Sequence, residues 1–576
     1  MIICGIKLTH DASVALIDNG KLIFCIEAEK IGNASRYSEW NDFKINYLVK
    51  ILSDFGYEIS SIDKFVFDGW GDFKSIINND YQITYKSVIL ENDEEMKINL
   101  QRYGMLVENE NIFEFNIINP ISDKSKSVIS YMHVTGHLMS AYCTSPFSVN
   151  KEDSYLLVWD GGMCPQLFYL FAKEKKIELI NPLFFLLGSC YGALASNYEP
   201  FNHLAHDDLS IAGKLMAYIA LGKKDAKTIN AFKNIFLQFE DRFELHSEKA
   251  LMSKLLTSEF LKEIVIYGEI EEIAPKNLMC NFHYFIEELL IDKLSRLIDI
   301  NPNLKRNFCF VGGCALNIKW NSKLRSTNFF DNFWVPPFPN DSGSAIGAAC
   351  CEMFLRSDKI NLDWTVYSGP KIIREDFLDS NWIRIEISVS EIAEVLYYLD
   401  EPIVLLNDRA ELGPRSLGNR SIVASPINPN MKEVLNKIKG REHYRPIAPI
   451  CIEDFSSDFF HPGVSDPYML YDHFVKLDKR NLIPAVCHLD FSARLQTVNQ
   501  IQNPILYSLL LEFKDISGIP ILCNTSANFN GSGFFPDIKS VMQWNKVDLI
   551  WSNGSSFVKI KSRIFDYLMS KKNLNV

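Results

Sequence analysis

The chain contains no run of about 18 uninterrupted apolar residues, so no membrane span is expected anywhere in its 576 residues. Its start, MIICGIKLTHDASVALID, shows no cationic leader followed by a long apolar run and a cleavage site, which points to a cytoplasmic protein. None of the 13 cysteines form a C-x-x-C pair, and their number is odd. Reduced, mostly buried thiols are therefore expected rather than a disulfide framework. Positive charge is in deficit: 59 Lys and Arg stand against 71 Asp and Glu, a formal charge of −12. This disfavours a generic polycation that coats nucleic acid, although a local basic groove fits inside a net negative charge. There is no internal repeat or low-complexity tract. A composition of 47% hydrophobic and 23% charged residues excludes collagen-like and largely disordered chains. At roughly 150 residues per domain the length fits two to four domains.

Short apolar runs closed by turn residues are plentiful. Ile2 to Lys7, Ala12 to Ile17 and Lys21 to Ile26 read as strands, with Asp18-Asn19-Gly20 as a hairpin turn. Ser154 to Trp159 reads as a buried central strand with Gln166 to Ala172 as its hairpin partner, and Asn307 to Val311 as another buried strand. Helical spacing covers Ser125 to Cys143, residues 207–245 and Asn281 to Ile298, and small residues fill a helix at Ala345 to Arg356. The stretch from about 40 to 124 carries no motif. The pattern breaks around 357–372, the best domain boundary. Beyond it a mixed α/β region is expected, with a helix at Ser390 to Leu399 and strands at Ile403 to Leu406 and Pro520 to Cys523.

Four constellations carry chemistry. Three turns follow buried strands and are acidic or glycine-rich: Gly5 to Asp11, Asp160-Gly161-Gly162 and Gly312-Gly313. Glycine there lets backbone N–H groups approach phosphate oxygens. In this order they point to the split nucleotide site of the sugar-kinase and actin superfamily. Secondly, His133 and His137 stand one helical turn apart and reach a common metal ion. A bare H-x-x-x-H more often marks two satisfied histidines; Asp160 and Asp341, each at a strand end or in a tight turn, change that balance. Two His and two carboxylates suit Fe(II), Mn(II) or Zn(II). Thirdly, Arg415, Arg420, Lys439, Arg441 and Arg445 lie close together in an acidic chain, interleaved with Gly and Pro, a pattern suited to phosphate. Fourthly, Asn524-Thr525-Ser526-Ala527-Asn528 follows a buried strand and offers hydroxyls and amides to phosphate or ribose.

These residues resemble the NodU/CmcH family of O-carbamoyltransferases over nearly the whole length. The resemblance is carried by His10-Asp11-Ala-Ser, His133 to His137, Asp160-Gly-Gly, Ala212-Gly-Lys214-Leu-Met, Gly312-Gly-Cys-Ala-Leu-Asn317 and Asn340-Asp-Ser-Gly. Its most specific part is Glu411-Leu-Gly-Pro-Arg-Ser-Leu-Gly-Asn-Arg-Ser421, with Lys439-Gly-Arg-Glu, Arg445-Pro-Ile-Ala-Pro449 and Asn524-Thr-Ser-Ala-Asn528. It implies a two-domain α/β protein: an actin-like, sugar-kinase-superfamily (RNase H-like) domain over 1–360 and a YrdC-like domain over 370–576.

The resemblance further implies that the second domain makes carbamoyl adenylate from ATP (with Mg2+) and carbamoyl phosphate. The first would then transfer the carbamoyl group to an acceptor hydroxyl. Lys439 and Arg441 match the family's K-x-R pattern and Ser526 and Asn528 its S-x-N pattern, with Arg415 and Arg445 assisting. His133, His137, Asp160 and Asp341 match its iron-binding positions. Gly161, Gly312, Gly313 and Asn317 would line the adenylate, and Lys214 would contact its phosphate. His10 would be the general base, oriented by Asp11. The segment Glu27-Ala-Glu29-Lys-Ile-Gly-Asn-Ala-Ser-Arg36 departs from the family's usual Arg- and Lys-rich stretch. The acceptor is expected to be a sugar or secondary-metabolite hydroxyl. A hydroxymethylpyrimidine in a nucleotide or in DNA is less favoured by the acidic charge, and a non-catalytic nucleotide-binding module by retention of all four metal positions, the K-x-R pair and the S-x-N pair. A homodimer is compatible with the family pattern; a membrane partner is not expected.

Overall fold

In the computed structural model, residues 1–40, 43–70, 85–89, 95–107, 111–118, 127–205, 208–245, 249–373 and 379–572 are described. Much of the 40–124 stretch that carries no motif lies outside them. The chain forms two compact units. The first comprises Met1–Ile26 and Ser38–Thr365, the second Glu27–Tyr37 and Val366–Val576.

The first unit is built on two sheets of one plan. β1 (Ile2–Lys7), β2 (Ser13–Asp18), β3 (Lys21–Glu27), β4 (Lys64–Asp68), β5 (Phe115–Ile118) and β6 (Ser127–Tyr131) lie in the order β3-β2-β1-β4-β6-β5. β2 runs antiparallel to β1, whereas β4 is parallel to β1 and β6 to β4. Asn19 and Gly20 both take positive φ, 47° and 79°, the twist-matched turn that the Asn-Gly pair predicts. The second sheet takes β7 (Ser154–Val158), β8 (Gln166–Phe171), β9 (Lys176–Pro182), β10 (Asn307–Val311) and β11 (Asn332–Trp334) in the order β9-β8-β7-β10-β11. Again a hairpin leads into parallel neighbours. The central strands β7 and β10 are buried along their whole length, which is why they read as unbroken apolar runs.

Two helices belong to the core itself. α1 (His133–Thr144) is buried at every residue, and α2 (Ser344–Arg356) from Ser344 to Phe354. They touch backbone to backbone. A Cβ on Gly347 would sit 1.9 Å from the carbonyl oxygen of Gly136, and one on Gly5 in β1 would sit 1.9 Å from that of Ala345. No side chain fits at either place. The helical spacing read over Ser125 to Cys143 is in fact two elements: β6 runs to Tyr131, and the helix starts at His133. Both are buried, and periodicity does not separate a buried strand from a buried helix.

The second unit centres on an eight-stranded sheet. Its strands are β12 (Trp382–Ile385), β13 (Ile403–Leu406), β14 (Arg420–Ala424), β15 (Ala448–Ile452), β16 (Gln496–Val498), β17 (Ile521–Ser526), β18 (Leu549–Ser552) and β19 (Ser555–Lys559), in the order β12-β19-β18-β13-β14-β17-β15-β16. The helix expected at Ser390 to Leu399 is an α-helical turn, Val389–Glu394, opened by a Ser388/Glu391 capping box and continued as a π-helical stretch to Leu399. Residues Glu27–Tyr37 belong here for a physical reason. Lys30 is buried, and its ammonium donates to Glu27 Oε1 (2.7 Å), the Glu411 carbonyl (2.6 Å) and the Gly413 carbonyl (2.8 Å). All three of its protons are thereby used. Burial pushes the Glu27 carboxyl up to about 7 despite the neighbouring Lys30.

The close approach of α1 and α2 gives a direct test. Gly347→Ala is expected to destabilise the protein by about 1–3 kcal/mol or more in urea titrations, because backbone has to move. Gly213→Ala, in the exposed middle of the Ser210–Tyr218 helix with nothing within 4 Å of the added carbon, is expected to stabilise by about 0.5–1 kcal/mol.

Candidate functional site

The buried strands of the first unit end in polar residues, and the backbone contact of α1 with α2 draws these together. Lys7 closes β1, Asp68 closes β4, and Asp160 follows β7 by two residues. Asp341 lies three residues before α2, and His133 and His137 fill the first turns of α1. One ligand atom from each of His133, His137, Asp160 and Asp341 lies within 4.8 Å of the others, all four residues being buried.

Three of the four ligands, His133, Asp160 and Asp341, are aimed by a second contact. His133 Nδ1 is 2.7 Å from Asp68 Oδ2, leaving Nε2 facing His137 Nε2 at 3.0 Å and Asp341 Oδ1 at 3.4 Å. His137 Nε2 is 3.3 Å from the same Asp341 oxygen. Asp160 accepts from the Tyr103 hydroxyl at 2.5 Å and from the Gly313 N–H at 2.6 Å. Lys7 Nζ, 1% exposed, bridges Asp68 (3.2 Å) and Asp341 (3.0 Å), donates to Thr9 Oγ1 and sits 4.3 Å from the Trp70 ring centroid. Tyr103 stacks on His133 at 4.7 Å. A carboxylate behind a metal-facing imidazole is the usual outer support of a metal ligand.

Charge decides what fits this pocket. Asp68, Asp160 and Asp341 against Lys7 leave two negative charges when both imidazoles are neutral, which one divalent cation would cancel. Without it the carboxylates attract protons to nearby bases. Burial opposes a charged His133, yet Asp68 and Asp341 push it up to about 9. Burial likewise opposes ionisation of Asp341, yet Lys7, His133 and His10 hold its carboxyl well below the usual carboxylate range. The donor set, two nitrogens and two carboxylates around one point, thus fits a divalent ion.

His10 stands at the edge of this cluster, 27% exposed. Its Nε2 is 3.4 Å from Asp341 Oδ2 and its Nδ1 is 3.4 Å from Asp11 Oδ2. Asp11 also accepts from Asn340 Nδ2. Gly313 meets Asp160 as above. Gly312, at φ +92°, donates its N–H to the Pro339 carbonyl, and the Gly161 carbonyl accepts from the Ser189 N–H. Asn317 Oδ1 accepts from the Lys319 and Trp320 N–H groups as the cap of the Ile318–Arg325 helix. Lys214 lies on the Ser210–Tyr218 helix and makes no hydrogen bond to the cluster among the described residues. The geometry therefore joins His10 and Gly313 to the four His and Asp residues, and leaves Lys214 apart. Lys7, Asp68, Trp70 and Tyr103 were not singled out from sequence. Asp68 carries the same signature as Asp160, an apolar run closed by Asp, and that signal would have found it.

The second unit holds a different site. α3 (Met431–Lys439) ends on Gly440 in the left-handed conformation, φ +59°, and that turn directs Arg441 toward β17. Lys439 is buried and donates to the Ser526 carbonyl (2.8 Å) and the Asn528 carbonyl (2.7 Å). Arg441 reaches Thr525 Oγ1 (2.9 Å) and Ser526 Oγ (3.3 Å), and Ser526 Oγ donates to Asn528 Oδ1 (2.7 Å). The K-x-R and S-x-N residues are thus one hydrogen-bonded group.

Around them cations crowd. Burial and the charges of Arg445 and Arg36 lower Arg441 to about 9; burial, Arg36 and Arg445 lower Arg415 to about 10. Arg494, missed in the sequence, is lowered by burial and by Arg415, Arg445 and Arg441. Nε of Arg415 and Nε of Arg494 are buried without a partner. Such a group calls for a bound anion. Arg420 is the exception. It points inward, 1% exposed, donating to the carbonyls of Asn407, Asn419 and Asp408. The Glu411 carboxylate takes the N–H groups of Leu417, Asn419 and Arg420. These two side chains set the loop that carries Arg415.

The first site predicts metal binding. Titration of the apoprotein with Mn(II) or anaerobic Fe(II), followed calorimetrically, should give one ion per chain, with affinity rising with pH up to about 9 as the His133 proton leaves. Asp68→Asn should weaken it by roughly 10–100-fold, and His137→Ala further. Equal affinity in all three proteins would refute the ligand set.

Residues 2–350 match the family described as Carbamoyltransferase N-terminus, and residues 396–554 match Carbamoyltransferase C-terminus. The chain is 39% identical over 574 residues to Nodulation protein U of Sinorhizobium fredii (strain NBRC 101917 / NGR234), covering 97% of this chain and 99% of that protein. It is 28% identical over 554 residues to the 3'-hydroxymethylcephem-O-carbamoyltransferase of Streptomyces clavuligerus, covering 95% and 97% respectively. A glucokinase from Balamuthia mandrillaris in complex with glucose overlaps at 10% identity over 61% of this chain and 92% of that one; its TM-score of 0.23 bears on nothing further. Two family segments in their N-to-C order, and relatives alike from end to end, place the chain in the carbamoyltransferase family and so among enzymes.

Proposed function

We propose that the protein is an ATP-dependent O-carbamoyltransferase that works in two steps. In the second unit, read as a YrdC-like fold, carbamoyl phosphate and water give carbamate and phosphate. A carbamate oxygen then attacks the α-phosphorus of Mg2+-bound ATP, and pyrophosphate leaves with the former α–β bridging oxygen. The product is carbamoyl adenylate. In the first unit, read as an actin-like fold, an acceptor hydroxyl attacks the carbamoyl carbon. The bond from that carbon to the AMP oxygen breaks, AMP leaves with the electron pair, and the hydroxyl proton goes to a base.

One observation carries this reading: the hydrogen-bonded group Lys439, Arg441, Ser526 and Asn528, set among unneutralised arginines in a carbamoyltransferase chain. Lys439 and Arg441 would neutralise charge at the phosphates, Ser526 and Asn528 would orient them, and Arg415 and Arg445 would stabilise the departing oxyanions. The Arg441 fork already spans two hydroxyls, so the donors need little rearrangement on binding.

In the first unit, His133, His137, Asp160 and Asp341 would hold a divalent ion, Fe(II) on the family pattern, which would supply Lewis acidity at the adenylate phosphate. At Gly161 nothing lies within 4 Å of an added Cβ, which leaves room there for a phosphate against backbone. His10 is the site imidazole that solvent reaches, since His133 and His137 are fully buried. It would take the acceptor proton, with Asp11 steadying Nδ1. The acceptor would be a small-molecule hydroxyl, of sugar or secondary-metabolite type, in keeping with the cephem hydroxymethyl named for one relative. Among the described residues no helix is long and apolar enough to cross a membrane.

Incubation with ATP, carbamoyl phosphate, Mg2+ and Fe(II) is expected to release pyrophosphate and to yield carbamoyl adenylate by mass spectrometry; its absence under every metal condition would sink the proposal. Lys439→Ala should abolish adenylate formation. His10→Ala should leave that step intact and slow carbamoyl transfer to the acceptor by about 10²–10⁴-fold.

A further inference from the structure

The phosphate reading of the second unit leaves two cations without a role, Arg494 and Arg36, and Arg36 is the one brought from elsewhere in the chain. Arg36 comes from the segment Glu27–Tyr37, the only part of the unit that does not follow residue 365. The segment is laid along the loop that continues from Asn528. Arg36 N–H donates to the Gly531 carbonyl (2.9 Å), Gly533 N–H donates to the Ala34 carbonyl (3.0 Å), and Ser35 pairs with Ser532 as an isolated antiparallel bridge. Asn33 Nδ2 donates to Ser540 Oγ at 2.7 Å. The apposition is close: a Cβ on Gly533 would lie 1.9 Å from the Glu29 carbonyl oxygen. Asn528, the last residue of the S-x-N pair, donates its own side-chain amide to the Ser532 carbonyl at 2.7 Å. One loop thus connects Arg36 to the phosphate group.

The Arg36 side chain is half-buried, and among the described residues its one side-chain hydrogen bond is from Nε to the Ser532 carbonyl at 3.3 Å. Its charge acts on Lys439, Arg415, Arg441 and Arg445, lowering the proton affinity of each. Carboxylates do little to offset this. Among the described residues, Glu442 pairs with Arg445 at 3.9 Å, and Asp466 acts on Arg494 without forming an ion pair. A structural arginine would be expected to spend its fork on carbonyls, as Arg420 does. Arg36 keeps its terminal nitrogens for something else.

We propose that Arg36 is a phosphate-binding residue of the second unit's site, contacting the terminal phosphates of a nucleoside triphosphate or the phosphate of carbamoyl phosphate. This rests on the reading of that site given above. It also assigns a role to the segment where the chain departs from the family's usual basic stretch: one arginine, fixed by backbone pairing, does what a run of them would do.

The test uses the full-length protein. Binding of ATP and of carbamoyl phosphate is measured separately by calorimetry for wild type, Arg36→Ala, Arg36→Lys and Asn33→Ala, with thermal melting of each. Loss of one charge-assisted contact should weaken at least one ligand about tenfold in Arg36→Ala. Arg36→Lys should recover part of the loss, because a point charge replaces a fork. Asn33→Ala, which loosens the segment and keeps the charge, should stay within about twofold of wild type. The ligand affected identifies which phosphate Arg36 holds. Unchanged affinity for both ligands in Arg36→Ala, or an equal loss in Asn33→Ala, would overturn the proposal while leaving the site reading intact. Wild type binding neither ligand would overturn both.

Discussion

Contact between bare backbones governs the first unit. At Gly347 against Gly136, and at Gly5 against Ala345, polypeptide meets polypeptide with no side chain between. That spacing places the start of α2 over the start of α1 and the end of β1. His133, His137, Asp341 and Lys7 occupy those three ends. Gly136 serves twice, because its missing side chain also makes room for Asp68, whose Oδ1 would lie 3.0 Å from a Cβ there. Packing and chemistry are therefore one constraint, and the small residues of α2 belong to the site as much as its ligands do.

The second unit solves a different problem, the assembly of like charges. Each cation there is held by neutral or fixed groups. Lys439 is held by carbonyls, Arg441 by hydroxyls, and the Arg415 loop by the Glu411 carboxylate buried beneath it. Carbonyls and hydroxyls orient a cation without cancelling it, which preserves the field an incoming anion meets. The Glu411 carboxylate binds backbone N–H groups and stiffens the loop, whereas Glu27 pairs with Lys30 and Glu442 with Arg445. The two clusters thus differ in sign, carboxylates outnumbering cations around His133 and His137 and cations outnumbering carboxylates around Arg441.

Much of this was legible in the sequence because it is local. The Asn19-Gly20 hairpin, the apolar strands closed by Asp160 and Gly312, and the one-turn spacing of His133 and His137 are short-range signals tied directly to backbone geometry. The K-x-R and S-x-N residues were visible as motifs, although their mutual hydrogen bonds were not. The misses have different causes. Arg420 has the same local look as Arg415, and the carbonyl of Asn407, 13 residues earlier, and the Glu411 carboxylate, 9 residues earlier, turn it inward. Lys7 reads as an ordinary residue at a strand end until Asp68 and Asp341 arrive beside it. Asp68 does carry a local signal, an apolar run closed by Asp. The segment Glu27–Tyr37 gives no hint of its unit, because Arg36 and Gly531 are nearly 500 positions apart. The strand Ser127–Tyr131 is hard to tell from the helix that follows because both are buried, whatever the polarity of their side chains.

That interleaving affects how the protein is made. Lys30 bonds to carbonyls 381 and 383 residues downstream. At roughly 5–20 residues per second a ribosome takes on the order of 20–80 s to cover that distance. Through that interval the segment is already outside the tunnel, carrying an ammonium and a carboxylate destined for an interior that has not been translated. The second unit is therefore complete only when a segment made early is captured by residues translated hundreds of positions later.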